Sequence, residues 1–202
     1  MNGAPLLLLF IYSGFTINLL LQCALGIKEA VEAKIPQEGE GSPLDKYSLI
    51  KSVIVFLTII LLWVIFSKVI YNLIQGIFIY ILLFPVSYLI YNGIEYLIFR
   101  FIFKKDTEED RYANFNGGVT AVAVFLCLNL SNDFLETVVL SFGFIFGIFI
   151  VNLIIREIRK RASLEAVPLF LRGKPLVLIT MGMLSLVFTS ASLLLFRMIG
   201  VM

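Results

Sequence analysis

The sequence predicts an all-α integral membrane protein with six transmembrane segments, arranged as two inverted three-helix repeats. Of its 202 residues 60% are hydrophobic and only 15% are charged, and the mean hydropathy is +0.99. Apolar runs of about 20 residues, the length that crosses a bilayer as a helix, follow one another along the chain. These runs are continuous and do not alternate with polar residues, which favours helices over a membrane β-barrel. Because the connectors are short, we expect one membrane domain over residues 1–202, with repeat one at about 5–103 and repeat two at about 113–200.

The six predicted segments follow the apolar runs in chain order. They are Leu6–Ile27, Ile50–Ile70, Ile77–Ile102, Val119–Leu130, Phe134–Ile155 and Pro175–Phe196. The first run lacks a positively charged start and a small-residue cleavage site, so we expect a retained membrane segment and not a signal peptide. The fourth run is short, since 12 residues rise only about 18 Å against a hydrocarbon core of about 30 Å.

Basic residues are distributed very unevenly between the two sides of the predicted segments. The first, third and fifth connectors, which lie on one side of the membrane, hold fourteen of the 16 lysines and arginines. The opposite side holds only Lys68 and Arg197. Because cytoplasmic loops of membrane proteins are enriched in Lys and Arg, loops 28–51, 100–114 and 156–174 are predicted to be cytoplasmic. Both termini are then expected outside, in a multi-pass protein of the cell membrane.

Polar residues interrupt the first and fourth segments, in "SGFTINLLLQCALG" and "ANFNGGVTAVAV". In the first, Gly14, Asn18 and Gln22 have the i, i+4, i+8 spacing of one helix face. Gly-interrupted segments at matching places in inverted repeats point to a central binding site in membrane transporters. Close helix packing with hydrogen bonds between helices is an alternative explanation. The candidate central-site residues are Asn18, Gln22, Asn116, Gly117 and Gly118.

Three acidic residues lie inside or at the ends of predicted segments. Glu95 has two interpretations, an ion pair with Arg100 and a part in ion uptake. Asp133 has the position of an N-cap for the segment that begins at Phe134, with Glu136 as the third residue of a capping box.

Small residues and cysteines complete the set of candidate features. Gly143 and Gly147 form a GxxxG spacing, which predicts a tight helix contact. Cys23 and Cys127 are weak candidates for metal ligands, because each lies alone in an apolar run and a buried free cysteine more often acts as a small hydrophobe. The chain contains no histidine, no nucleophile with an adjacent base and no phosphate-binding glycine loop. A membrane hydrolase, a membrane kinase and a nucleic-acid-binding protein are therefore not indicated.

The last third of the chain carries a family resemblance. An I-R-E run leads through V-P and an F-R-G-like element into an apolar helix with L-I-x-x-G and S-L-x-F. The residues that carry this pattern are Ile155, Arg156, Glu157, Val167, Pro168, Arg172, Gly173, Leu178, Ile179, Gly182, Ser185, Leu186 and Phe188. The pattern resembles the membrane subunits of Rnf/Nqr complexes (RnfA, RnfE, NqrD and NqrE). Weaker similarity extends to "NLSNDFLETVVLSFGFIFGI" and to the start of the chain.

The resemblance implies a subunit of a redox-driven, ion-translocating complex, of the RnfA/NqrE type by its predicted topology. It implies a homologous membrane subunit of opposite topology as partner, together with other membrane or cytoplasmic redox subunits. In that family each subunit of the pair supplies two cysteines to an intramembrane iron-sulfur cluster. The matching positions here are Lys28 and Gly118, so the chain is expected to lack the usual ligands and to be at most a non-catalytic or electron-relay subunit.

Two further functions remain open from the sequence. The chain is alternatively an ion or small-solute transporter, or a structural membrane partner, that keeps the inverted-repeat fold without redox chemistry. In the connector 156–174, a proline and a glycine at set places indicate a shaped segment that docks a partner subunit, since topology alone would require only the positive charge.

Overall fold

The computed structural model describes residues 3–25, 46–70, 78–98, 100, 117–164, 168, 171 and 173–199. All regular secondary structure within these residues is helical, as the sequence predicted. The helices are α1 (Gly3–Ile11), α2 (Lys46–Ile65), α3 (Phe78–Ile98), α4 (Gly117–Leu130), α5 (Phe134–Leu164) and α6 (Lys174–Ile199). Two π-helical turns, Tyr12–Thr16 and Phe66–Ile70, continue α1 and α2.

Four stretches of the described chain are long and apolar enough to cross a membrane. They are Leu49–Lys68, Ile81–Ile98, Phe134–Ala162 and Lys174–Met198. Two apolar helices are shorter, Leu6–Thr16 and Gly117–Leu130. These two belong to the first and fourth predicted segments, which the sequence had indicated to be broken or short.

The predicted connector 156–174 is only partly a loop. Helix α5 continues nine residues past the expected end at Ile155 and includes the basic run from Arg156 to Leu164. Lys and Arg are good helix formers, and positive charge is favourable in the last turn of a helix. Glu157 and Arg161 also form a 2.9 Å i,i+4 ion pair on this extension. The predicted loop 28–51 is likewise shortened, because α2 begins at Lys46.

Helix α5 starts at Phe134 as predicted, and the part of the predicted capping assigned to Glu136 is confirmed. The Asp133 carbonyl accepts the Thr137 backbone N–H at 3.1 Å, which is the first bond of the helix. The Glu136 carboxylate reaches back and accepts the Asn132 backbone N–H at 2.9 Å. Glu136 therefore caps the helix as expected, although its partner is one residue earlier than in a standard capping box.

The chain divides into two compact units, and the boundary between them falls within α5. The first unit comprises Met1–Asp45 and Gly143–Met202, and the second comprises Lys46–Phe142. In the second unit α2, α3 and α4 pack on one another, and Ile59, Leu62 and Leu83 are fully buried. In the first unit the turn Tyr12–Thr16 packs on α6. The repeats at about 5–103 and 113–200 remain a prediction.

Candidate functional site

The first apolar segment breaks after its π-helical turn. Ile17 leaves the helical conformation (φ −105°, ψ 51°), and its backbone N–H bonds the Tyr12 carbonyl at 2.8 Å. A new turn follows, in which the Gln22 N–H bonds the Asn18 carbonyl at 2.8 Å. The prediction that Gly14, Asn18 and Gln22 share one face of a regular helix is therefore wrong, because the helix ends before Asn18.

Asn18 satisfies the backbone on both sides of this break. Its side-chain amide donates to the Gly14 carbonyl at 3.0 Å. Its side-chain oxygen accepts the backbone N–H groups of Leu20 at 3.1 Å and Leu21 at 3.2 Å. The side chain is 1% exposed, so water could not replace these bonds. Asn18 thus acts as a cap, which favours the packing alternative for this residue.

Glycines on α5 receive the broken segment. A Cβ on Gly147 would lie 2.7 Å from Asn18 Nδ2 and 3.0 Å from the Gly14 carbonyl carbon. A Cβ on Gly14 would lie 3.2 Å from the Gly143 carbonyl oxygen, and one on Gly143 would overlap the Ser13 hydroxyl. The tight helix contact predicted from the GxxxG spacing is therefore confirmed, and it holds the broken segment against α5.

The residues after the break make a second set of contacts within the first unit. Gln22, although exposed, donates from Nε2 to Thr189 Oγ1 of α6 at 2.9 Å. Cys23 is exposed. Ala24 has a left-handed backbone (φ 56°), and the next N–H, that of Leu25, bonds the Leu19 carbonyl at 3.1 Å. Lys28, one of the two matching positions of the family cysteines, lies outside the described residues.

The candidate residues of the fourth segment lie in the second unit, whereas Asn18 and Gln22 lie in the first. Asn116 is outside the described residues. Gly117 is buried at the first position of α4, and a Cβ there would lie 2.5 Å from Cδ2 of the Tyr88 ring. Gly118 follows it and is half-buried. The glycine at the start of α4 thus makes room for an aromatic ring of α3.

Cys127 is tied into the junction of α4 and α5. It is fully buried, and its Sγ lies 3.7 Å from Ser141 Oγ. The Ser131 hydroxyl donates to the Cys127 carbonyl at 2.5 Å. Cys127 is nine residues from Gly118, which is about 13 Å along a helix, so it does not place a thiol at the family position. Among the described residues no three His, Cys, Asp or Glu side chains are grouped to hold a metal.

A largely buried ion pair in the second unit was not predicted from the sequence. Lys51 Nζ on α2 lies 3.2 Å from Glu95 Oε1 on α3, and the side chains are 11% and 19% exposed. The fully buried Tyr91 hydrogen-bonds the Glu95 side chain. The predicted Glu95–Arg100 pair is therefore wrong, since Arg100 instead donates to the Tyr96 hydroxyl and lies over its ring. The sequence did contain a signal for this pair. A lysine at the start of the second segment and a glutamate near the end of the third should lie at the same side of the membrane.

Ser87 extends this polar face of α3 by about one helical turn beyond Tyr91. Ser87, Tyr91 and Glu95 have the i, i+4, i+8 spacing of one face, and α3 is a regular helix over this range. The Ser87 hydroxyl is fully buried and has no hydrogen-bond partner among the described residues. The second unit therefore holds a line of polar side chains inside two candidate membrane spans.

Comparison with known proteins gives partial matches of one kind. No protein-family profile matches the chain. It is 40% identical over 73 residues to RnfA, a subunit of the ion-translocating oxidoreductase complex, of Buchnera aphidicola subsp. Schizaphis graminum, which covers 36% of this chain and 37% of that protein. It is 37% identical over 65 residues to the RnfA of Pectobacterium atrosepticum, which covers 32% of this chain and 34% of that protein. The matches span about a third of the length of these curated relatives. They support the resemblance to the Rnf/Nqr membrane subunit family that the sequence predicted.

Proposed function

We propose that this chain, a relative of the Rnf/Nqr membrane subunits, is a membrane subunit of a redox-driven, ion-translocating electron-transfer complex. The proposal is supported by the matches to RnfA and by four candidate spans with two short apolar helices. Its partners would be a homologous membrane subunit of opposite topology and other membrane or cytoplasmic redox subunits.

The proposal includes a topology. Loops 28–51, 100–114 and 156–174, including the helical parts of the first and last, lie in the cytoplasm, and both termini lie outside. The two halves, about 5–103 and 113–200, are inverted repeats. The distribution of Lys and Arg supports this arrangement, and so does the shortness of one apolar helix in each half.

The Lys51–Glu95 pair is the single observation that best supports an ion-translocating role. Lys51 and Glu95 lie within the candidate spans Leu49–Lys68 and Ile81–Ile98, close to the ends that the proposed topology places at the cytoplasmic surface. Charged side chains within membrane segments are costly and commonly mark ion pathways. Glu95 is the acceptor in this pair, and Tyr91 bonds the same carboxylate. A carboxylate held by one cation and one phenol can exchange partners with a passing cation. Ser87 offers a further oxygen along the same face of α3.

Among the residues that the structure describes, those at and near the family position in α4 do not fit the iron-sulfur cluster that the family implies. A cluster is held by four thiolates, and Gly118 offers no donor at the family position. Cys127 is engaged with Ser141 far along α4. We therefore propose that electrons pass through other subunits of the complex, or through a different group, while this chain supplies scaffold and ion path. Iron and acid-labile sulfide in stoichiometric amounts in the purified chain with its partners would contradict this part.

Electron-donor-driven ion uptake into inverted membrane vesicles tests the main proposal. We expect Glu95→Gln to lower the uptake at least tenfold, because the neutral amide cannot attract a cation. Asp133→Asn removes an exposed carboxylate outside this pair and serves as the matched control, with uptake unchanged, because asparagine caps a helix as well as aspartate does. The amount of assembled protein is measured for both variants, and the double variant Lys51→Gln/Glu95→Gln shows whether removing the whole pair restores any lost assembly.

The same vesicles separate the alternative, a transporter without redox chemistry. Ion or solute movement that continues without an electron donor would favour the transporter. Unchanged donor-driven uptake in Glu95→Gln would instead show that Glu95 is not part of the ion path. That result would not affect the resemblance to the Rnf/Nqr subunits. The central site predicted at Asn18, Gln22, Asn116, Gly117 and Gly118 stays a prediction from the sequence.

A further inference from the structure

The break in the first apolar segment lies deep in the membrane. Asn18 packs on Gly147 of α5, where an added Cβ would lie 2.7 Å from Asn18 Nδ2. No charged residue lies between Glu136 and Arg156 on this helix. Gly147 is nine residues from Arg156, which is about 13.5 Å of helix, and half of the hydrocarbon core is about 15 Å thick. The break is therefore near the middle of the bilayer when α5 stands across it.

Helix α6 gives a similar depth for the residues after the break. Gln22 Nε2 donates to Thr189 Oγ1 at 2.9 Å. Thr189 is eight residues from Arg197 and fifteen from Lys174, the charged residues at the two ends of α6. These separations correspond to about 12 Å and about 22.5 Å of helix. The contact with α6 therefore holds the Gln22 amide inside the hydrocarbon core.

The turn at this depth is exposed and contains backbone donors without acceptors. Gln22, Cys23 and Ala24 are all exposed. The N–H groups of Gln22 and Leu25 bond carbonyls of the same turn, but those of Cys23 and Ala24 have no hydrogen-bond acceptor among the described residues. Bare N–H groups are very costly in hydrocarbon, and irregular backbone occurs at this depth only where protein or water covers it. Lipid therefore cannot cover this turn.

A shielded hydroxyl beside the turn favours water over protein as the cover. Thr16 Oγ1 lies one residue before the backbone leaves the helix, is shielded from the surface and has no hydrogen-bond partner within the described chain. A partner subunit could accept bonds from the exposed N–H groups, but it could not reach this hydroxyl. Water is small enough to do both, and buried waters commonly bond otherwise unpaired polar groups.

We propose that the exposed side of residues 22–24 lines a water-filled cavity that reaches the middle of the membrane. The cavity gives small hydrated ions access to this depth within the first unit. It is separate from the Lys51–Glu95 pair, which lies in the second unit. The proposal depends neither on that pair nor on the redox assignment, so the uptake experiments with Glu95→Gln do not bear on it.

Thiol labelling tests the proposal, because a charged reagent reacts only where water reaches. Membranes that contain the full chain with its partners are opened by sonication and treated with a positively charged methanethiosulfonate. The chain has two cysteines, so Cys127→Ala leaves Cys23 alone. The matched control is Leu186→Cys in a chain without its native cysteines. Leu186 is 72% exposed and lies twelve residues from Lys174 and eleven from Arg197, which places it at a comparable depth on an apolar face.

We expect Cys23 to react at least about 100-fold faster than the thiol introduced by Leu186→Cys, because a charge is that much less stable at the bilayer centre than in water. The fully buried Cys127, kept alone in Cys23→Ala, should react as slowly as the control. Equal rates for Cys23 and the introduced thiol would overturn the proposal. Protection of Cys23 that is lost only when the partners are removed in detergent would also overturn it, since a subunit would then cover the turn.

A second measurement examines the shielded hydroxyl. Thr16→Val keeps the shape of the side chain and removes its hydroxyl group. We expect the thermal unfolding midpoint of the purified chain to fall, because water bonded at this position loses a partner. Removing a buried hydroxyl that is truly unpaired should instead raise the midpoint. An unchanged or higher midpoint would therefore show that Thr16 is dry and would contradict the choice of water over protein.

Discussion

The first apolar segment and helix α4 differ in the regularity of their backbones. Both contain glycine and lie beside asparagine, and the sequence therefore predicted the same kind of interruption in each. The first segment ends because its backbone leaves the helical conformation at Ile17, and Asn18 then bonds the backbone groups on either side. Helix α4 is regular over its described range, Gly117–Leu130.

The glycines of the two segments also serve different neighbours. In the first unit, Gly14, Gly143 and Gly147 let one backbone approach another. In the second unit, Gly117 makes room for the side chain of Tyr88. A side chain can move aside at modest cost, but a backbone cannot. Similar composition therefore predicts a rigid contact in one unit and an adaptable one in the other.

Asn18→Leu is expected to have the largest effect on stability. It leaves the Gly14 carbonyl and the N–H groups of Leu20 and Leu21 without their partner, and each buried unsatisfied group costs about 1–3 kcal/mol. We expect a loss of about 4 kcal/mol in the free energy of unfolding, measured by reversible unfolding in mixed detergent micelles. Asn129→Leu removes an exposed amide that bonds its own helix and should cost less than about 1 kcal/mol. A variant that assembles normally but does not function would instead support a central site at Asn18.

Gly147→Ala should have the second largest effect. The new methyl group meets the backbone of Gly14 and the amide of Asn18, and overpacking of this kind costs about 1–3 kcal/mol. Gly182→Ala is the control, because nothing lies within 4 Å of its added Cβ. That change should be neutral or stabilise α6 by up to about 1 kcal/mol. Equal midpoints for the two variants would show that the contact between α5 and the broken segment is not tight.

Gly117→Ala should have the smallest effect of the three test variants, below about 1 kcal/mol. The three atoms nearest to the new methyl group all belong to the ring of Tyr88, and because Tyr88 is 54% exposed, we expect the ring to move aside. Alanine also favours the helix, which offsets part of the cost. A loss as large as that of Gly147→Ala would mean that Tyr88 is held in place, and the contrast between the two units would then disappear.

The sequence predicted features that depend on local pattern. Hydrophobicity predicts the apolar segments, and cap chemistry predicts the capped start of α5. The spacing of small residues predicts the tight contact that Gly143 and Gly147 make with the broken segment. The pairing of Lys51 with Glu95 could not be predicted in this way, because it depends on which helices are neighbours. The prediction that Gly14, Asn18 and Gln22 share one helix face was wrong, because helical periodicity applies only while the helix continues and this helix ends before Asn18.

The connector between α5 and α6 shows both kinds of outcome. Positive charge suggested a loop from Arg156, but helix propensity carries α5 to Leu164. The glycine of the motif was correctly given a shaping role, since Gly173 has a left-handed backbone (φ 88°) that other residues rarely adopt.

Ala24 shows how the turn after the break is specified. A left-handed alanine costs about 1–2 kcal/mol relative to its ordinary conformations, and glycine or asparagine would adopt the same turn more readily. The local preference of the chain therefore opposes the turn. The local bond from the Leu25 N–H to the Leu19 carbonyl closes the turn, and the tertiary contact of Gln22 with Thr189 of α6 holds it in place. A peptide cut from this region would not keep the turn, whereas Ala24→Gly would make the turn less dependent on the rest of the protein.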